Sequence, residues 1–267
     1  MSDALDRLSA HAEVLKLARV LGEDPDRFGF LLDVPAGDIR VLRGQVTEAL
    51  HGAHLPVLRR LAGASRLLPA PVLAVMAEKA FGALLSARIA GLVDADRGAD
   101  IAGRLSPGFL ADIAAELDPA RAVDIITRLP PETVTAVSRE LRRREDWITL
   151  GRFVGNVPAD VAAAGLDVLT EPDLLRVAFV LDDTSTADVL LSRVPGERYP
   201  RLVHAADEHD LWHALFLLLS RLGAETRRRV VRAAAGLERE VRDRAAAQAH
   251  EFGVLDELPP LREVLLG

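Results

Sequence analysis

Four consecutive segments of twelve residues align without a gap between positions 94 and 141. They are Asp94–Leu105, Ser106–Leu117, Asp118–Leu129 and Pro130–Leu141. Their last column reads Leu105, Leu117, Leu129, Leu141; the eighth reads Ile101, Ile113, Ile125, Val137; the second reads Ala95 and then Pro107, Pro119, Pro131. A repeat of this kind decides the architecture before any single residue does. Asp or Ser in the first column can accept hydrogen bonds from the free amides of a helix N-terminus. Proline in the second column sits at the first helical position, where its missing N–H costs nothing, and it forces the residue before it out of the helical region. Columns five, eight and twelve fall three and four apart and form one apolar stripe. Each unit therefore predicts a helix of about 10 residues, roughly 15 Å long. Such a helix is marginal alone and must pack on its neighbours. The expected fold is all-α, a superhelical α-solenoid of short capped repeats with a continuous core.

Downstream the period loosens. Pro158–Leu169 and Thr170–Leu181 are two further twelve-residue units, and Asp182–Val194 is a thirteen-residue version. Between the tracts, Arg142 to Asn156 breaks the register, and Gly151 and Gly155 predict a bend there. The flanks also read as helical: an amphipathic helix over Leu5–Leu21, a short apolar piece at Phe28–Leu32, helices over Ile39–His51, Leu55–Leu68 and Pro71–Val93, a very apolar one over Leu211–Leu219, and one long charged helix over Glu225–Phe252. The organisation expected is an N-terminal helical segment (1–93), the repeats (94–222) and a C-terminal helix and tail (223–267), forming one continuous domain.

The units Ser106–Leu117 and Asp118–Leu129 resemble the helical repeats of the cytosolic N-terminal domain of MgtE-type magnesium transporters. The likeness is close over 94–141, extends to about 194 and is absent before 94. It implies a right-handed superhelix and a regulatory role, with neither the transporter part nor the cystathionine-synthase-type part of that family in this sequence.

Composition narrows the function classes. A formal net charge of −7 and a sequence pI near 5.6 argue against a general binder of nucleic acids or anionic membranes. Cysteine is absent, which excludes disulfides, thiolate metal sites and cysteine nucleophiles. Aromatics are 4%, so the core must be packed from Leu, Val, Ile and Ala. The N-terminus carries two acids and no apolar core, unlike a secretory signal. The longest apolar stretches, Leu67–Ala77 and Leu211–Arg221, fall short of the roughly 20 residues a spanning helix needs. The expectation is a soluble, cytoplasmic protein that does not span a membrane.

Two constellations could hold a metal. His209 and His213, four apart, would share a helix face, with His204 or Asp207 as a further ligand. The competing reading makes Asp207 a helix cap with the histidines on an exposed first turn; His51 and His54 form a weaker pair. Asp100, Asp112 and Asp124 occupy the seventh column of three repeats and could form a carboxylate ladder for magnesium. The favoured alternative is a solvated face pairing with Arg104, Arg121 and Arg128. The clusters Arg142–Arg144 and Arg227–Arg229 with Arg232 have acids close by and read as mixed charged helix faces. No phosphate-binding glycine loop or nucleophile elbow is present. No catalytic, cofactor-binding or metal residue is assigned. The expected function is a non-enzymatic scaffold or regulatory module that binds a protein partner or self-associates. The alternative is a binding protein for a divalent cation or a small apolar ligand, with the apolar helices around Leu67–Leu85 and Leu211–Leu219 lining a pocket.

Overall fold

The computed structural model describes residues 3–52, 55–182, 187–189, 191, 194–255, 258 and 261. The protein is all-helical, about 78% helix, with no strand among the described residues. It divides into two compact units, one of residues 1–46 with 170–267 and one of residues 47–169. The chain opens with α1 (Asp3–Leu21), a 3₁₀ turn (Pro25–Leu31) and α2 (Ala36–Gly52).

The unit of residues 47–169 then runs through α3 (Leu55–Ala64), α4 (Ala70–Met76), α5 (Gly82–Ala90), α6 (Ala95–Ala102), α7 (Pro107–Glu116), α8 (Pro119–Ile126), α9 (Pro131–Arg143), α10 (Trp147–Val154) and α11 (Ala159–Leu166). The repeat columns act locally as their chemistry dictates. Asp94 accepts from the Asp96 and Arg97 amides, Ser106 from Phe109 and Asp118 from Ala120, at 3.2 to 3.4 Å. Pro107, Pro119 and Pro131 each open a helix. The residues before them are extended, with ψ of 146°, 109° and 142°.

Most helices in this tract pack on the next but one, while α10 packs on its neighbours α9 and α11. α3, α5, α7, α9 and α11 make one row; α4, α6 and α8 make a second. Close approach in the second row relies on Gly98, where a Cβ would come within 2.5 Å of Ile125 Cδ1. The bend expected over Arg142–Asn156 is instead α10. Asp146 caps it by accepting from the amide and hydroxyl of Thr149 at 3.1 and 2.8 Å. Gly151 lies buried inside the helix and Gly155 closes it. The glycines there serve packing and termination, so their presence misleads as a bend signal.

The other unit adds α12 (Glu171–Phe179), α13 (Tyr199–Glu208), α14 (Trp212–Arg221), α15 (Ala224–Ala235) and α16 (Arg239–Glu251) to α1 and the first part of α2. The thirteen-residue unit Asp182–Val194 lies largely outside the described residues. The single long helix expected over 225–252 is two helices, separated at Gly236–Glu238. The very apolar helix expected over Leu211–Leu219 is α14, whose Trp212, Phe216 and four leucines are buried against α1, α12, α13 and α16. Trp212 stacks on Phe216, with ring centroids 5.9 Å apart.

α1 is not amphipathic. It is buried on nearly every side and carries Glu13 and Lys16, each 1% exposed, into the interior. Glu13 accepts from Lys16 Nζ at 2.8 Å, Arg40 Nε at 2.9 Å and Arg43 Nε at 3.2 Å. Asp182 accepts from Arg43 Nη2 at 2.8 Å and from Lys16. One buried carboxylate, one half-buried carboxylate and their bases thereby tie α1, α2 and the segment after α12 together. Burial pulls the Lys16 ammonium below its ordinary range, against the opposing pull of Asp182 and Glu13. Burial alone would raise the Asp182 carboxyl, but the charges of Lys16 and Arg43 hold it below its usual value.

Removing one member of such a network strands its partners. Glu13→Gln should lower the free energy of unfolding by roughly 3 to 5 kcal/mol, read as a fall in the urea midpoint. A carboxyl depressed in the folded state contributes stability above its unfolded value of 3.8 and loses it as pH falls through the lower folded value. Asp182→Asn should therefore flatten the dependence of stability on pH below 3.8.

Candidate functional site

The stripe predicted from the repeat does more than close a core. Within the unit of residues 47–169 the two rows leave a cavity of about 360 Å³. Column eight lines it at Ile101, Ile113, Ile125 and Val137, and column twelve at Leu105, Leu117, Leu129 and Leu141. Column five lines it too, at Gly98, Leu110, Ala122 and Val134. The ninth column, not singled out from the sequence, completes the wall with Ala102, Ala114, Ile126 and Ser138. Four columns in four consecutive repeats thus face one space from alternate sides.

No charged side chain lines this space, and Ser65, Ser86 and Ser138 are its polar side chains. Ser65 donates to the Ala62 carbonyl at 2.6 Å. Ser86 Oγ is buried without a hydrogen-bond partner. Ser138 Oγ sits so close to α11 that a Cβ on Gly165 would lie 2.8 Å from it. A cavity of this volume has room for about a dozen waters at ~30 Å³ each, and each water needs 2 to 4 polar partners. With only three hydroxyls on the lining, the wall offers such waters few partners.

Of the two apolar stretches expected to line a pocket, one does. Leu68, Leu73, Met76, Ala77 and Phe81 reach the cavity, whereas Leu211–Leu219 is packed inside the other unit. The helical run Ala70–Ala90 is 21 residues long, and 28% of its most apolar 18-residue window is buried. Among the described residues it is a helical run long and apolar enough to cross a membrane. The uncharged stretch Leu67–Ala77 ends at Glu78, whereas the helical run continues past it to Ala90. A π-helical turn at Ala77–Phe81 and Gly82, at φ +73°, interrupt the run.

The expected metal residues are not brought together. His209 follows the end of α13, Asp210 adopts φ +53°, and His213 belongs to the first turn of α14, so the two histidines do not share a helix face. His213 instead sets its ring edge-on to Phe179 at 5.0 Å, with His11 on the same ring at 5.8 Å. Burial, then the nearby His11, lowers its pKa. Asp207 is no helix-starting cap: it lies inside α13 and pairs through both oxygens with Arg244. His54 lies outside the described residues.

The carboxylate ladder fails for a reason of topology. α6 and α8 share a row and α7 belongs to the other, so equivalent columns of successive repeats do not stack. Asp100 pairs with Arg104 at 2.9 Å and Asp112 with Arg144 at 2.5 Å. Arg121 takes Asp118 and Glu48, and Arg128 takes Asp96 and the Asp124 carbonyl. Among the described residues no three metal-ligating side chains converge. The arginine clusters are mixed faces: Arg143 and Arg144 clasp Glu140 and draw its pKa down to about 2, and Arg228 pairs with Glu225. Comparison with family profiles, with curated proteins and with solved structures returns no match.

With its carboxylates dispersed into arginine pairs, the chelator-treated protein should melt at the same temperature with and without millimolar magnesium, zinc or manganese. A rise of several degrees with one metal, by calorimetry, would reveal a site that this arrangement does not provide.

Proposed function

We propose that the unit of residues 47–169 is a non-catalytic binding module for an apolar small molecule, built as a right-handed superhelical stack of short repeats. One observation carries the reading. Four apolar repeat columns surround a 360 Å³ space that contains no charged side chain. The volume is within the range of small-molecule sites, and the lining has their mostly apolar character. Alternate packing of the helices supports the superhelical arrangement, because a fixed step between neighbours in each row generates a regular twist.

A second reading, a scaffold that self-associates or holds a protein partner, draws on Val41 and Leu42, which α2 exposes to solvent. Sedimentation of the wild type against Val41→Asp tests self-association directly: a smaller species in the variant supports it.

The binding reading is tested with dodecanol and a fluorescent alkyl probe. At about a hundredfold excess over Kd, a ligand restricted to the folded state should raise Tm by roughly 5 to 10 °C. Ala114→Trp, which places an indole in the cavity, should remove both the shift and the probe signal. An unchanged Tm, or probe binding unaffected by Ala114→Trp, would overturn it.

A further inference from the structure

We propose that the exposed face of α3, α4 and the turn between them docks on an anionic lipid surface. Val57 and Leu61 are exposed on α3, Leu67 and Leu68 at the turn, and Val72 and Val75 on α4. Leu67, at 84% exposure, is the most exposed large apolar side chain described. Isolated exposed leucines are ordinary, but a contiguous series along a helical hairpin is not.

Charge selects the partner. The whole chain carries −7, yet residues 55–90 hold Arg59, Arg60, Arg66, Lys79 and Arg88 against the single acid Glu78. That is a local net charge of +4. Arginines across the repeats are paired, as Arg104, Arg128 and Arg144 show. Arg59, Arg60 and Arg66 are exposed and make no ion pair among the described residues. Arg60 also shares the apolar face of α3. Val57, Arg60, Leu61 and Ala64 are three and four apart on α3, and Val72, Val75 and Lys79 continue the pattern on and beyond α4. Interleaved apolar and basic side chains on one face suit the boundary between headgroups and acyl chains, where leucine and valine enter and the long basic side chains reach the phosphates.

The turn is held ready. Arg97, from α6, donates through Nη2 to the carbonyls of Ser65, at 2.5 Å, and Leu68. Pro69 follows, and Leu67 projects from the constrained loop. Leu61 and Leu68 are both exposed and part of the cavity lining, so the docking face is also where the cavity meets solvent.

The test is flotation of the full chain with phosphatidylcholine vesicles with and without phosphatidylserine. Binding is expected to the anionic vesicles and not to the neutral ones, and to weaken with salt. Arg60→Gln and Arg66→Gln should each lower partitioning about fivefold, and Arg59→Gln, on another side of α3, should lower it less. Leu67→Asp should abolish flotation with little change in Tm, since that side chain is 84% exposed. Ala114→Trp, which fills the cavity, should still float, and so separates docking from ligand binding. No flotation, equal flotation on neutral vesicles, or flotation that survives Leu67→Asp would overturn the proposal. So would a dimer in solution that Leu67→Asp dissociates, which would assign the face to a second copy of the chain.

Discussion

A helix of eight to ten residues fixes many dihedrals for few hydrogen bonds and does not persist in water by itself. The repeats between 94 and 141 meet that constraint with covalent punctuation and lateral packing. Asp or Ser caps three of the four starts and proline opens three of the four helices, while the last-column leucine closes α7 and follows α6 and α8 but lies inside α9. Because the rise of one short helix is small, the chain returns through a tight turn to the opposite row, and stability comes from neighbours two elements away. Everything else in the unit, including the cavity and the exposed hairpin, is a consequence of that alternation.

The other unit solves its packing problem differently. α1 is nearly surrounded and contributes one of the two lysines in the chain to a buried cluster with Glu13, Arg43 and Asp182. Buried charges bring little net stability compared with apolar side chains of similar volume. They do demand particular partners, and here they fix which segments meet: residues near 16, 43 and 182 satisfy one another and no local substitute exists. In one unit, register is set by proline and leucine; in the other, by the matching of charge.

Much of this was legible in the sequence, and its limits have physical causes. The caps, the proline starts and the apolar stripe follow from local chemistry, so Asp94, Ser106, Asp118 and Pro119 act as read. The convergence of the columns on one open space was not legible, because periodicity shows which side chains face inward and not how closely the rows approach. Gly151 read as a bend and is a packing residue in α10. His209 and His213 read as one helix face, and the left-handed Asp210 between them separates two helices. Asp100, Asp112 and Asp124 look alike in the alignment but alternate in space. Glu13 and Lys16, three apart, gave no sign of burial, since their partners are supplied by residues up to 166 positions away. The net charge of −7 likewise conceals a basic stretch, because a sum over the chain carries no position.

The alternation of rows gives the repeat a parity. A single twelve-residue unit moves the chain from one row to the other, and two units bring it back. Loss of one unit would send every later helix to the opposite row, where the same columns would still face the interior but against the partners of the other row. Loss of two would shorten the stack and return each surviving helix to its own row. The structural quantum of this architecture is therefore the pair of helices, twice the period that the sequence displays.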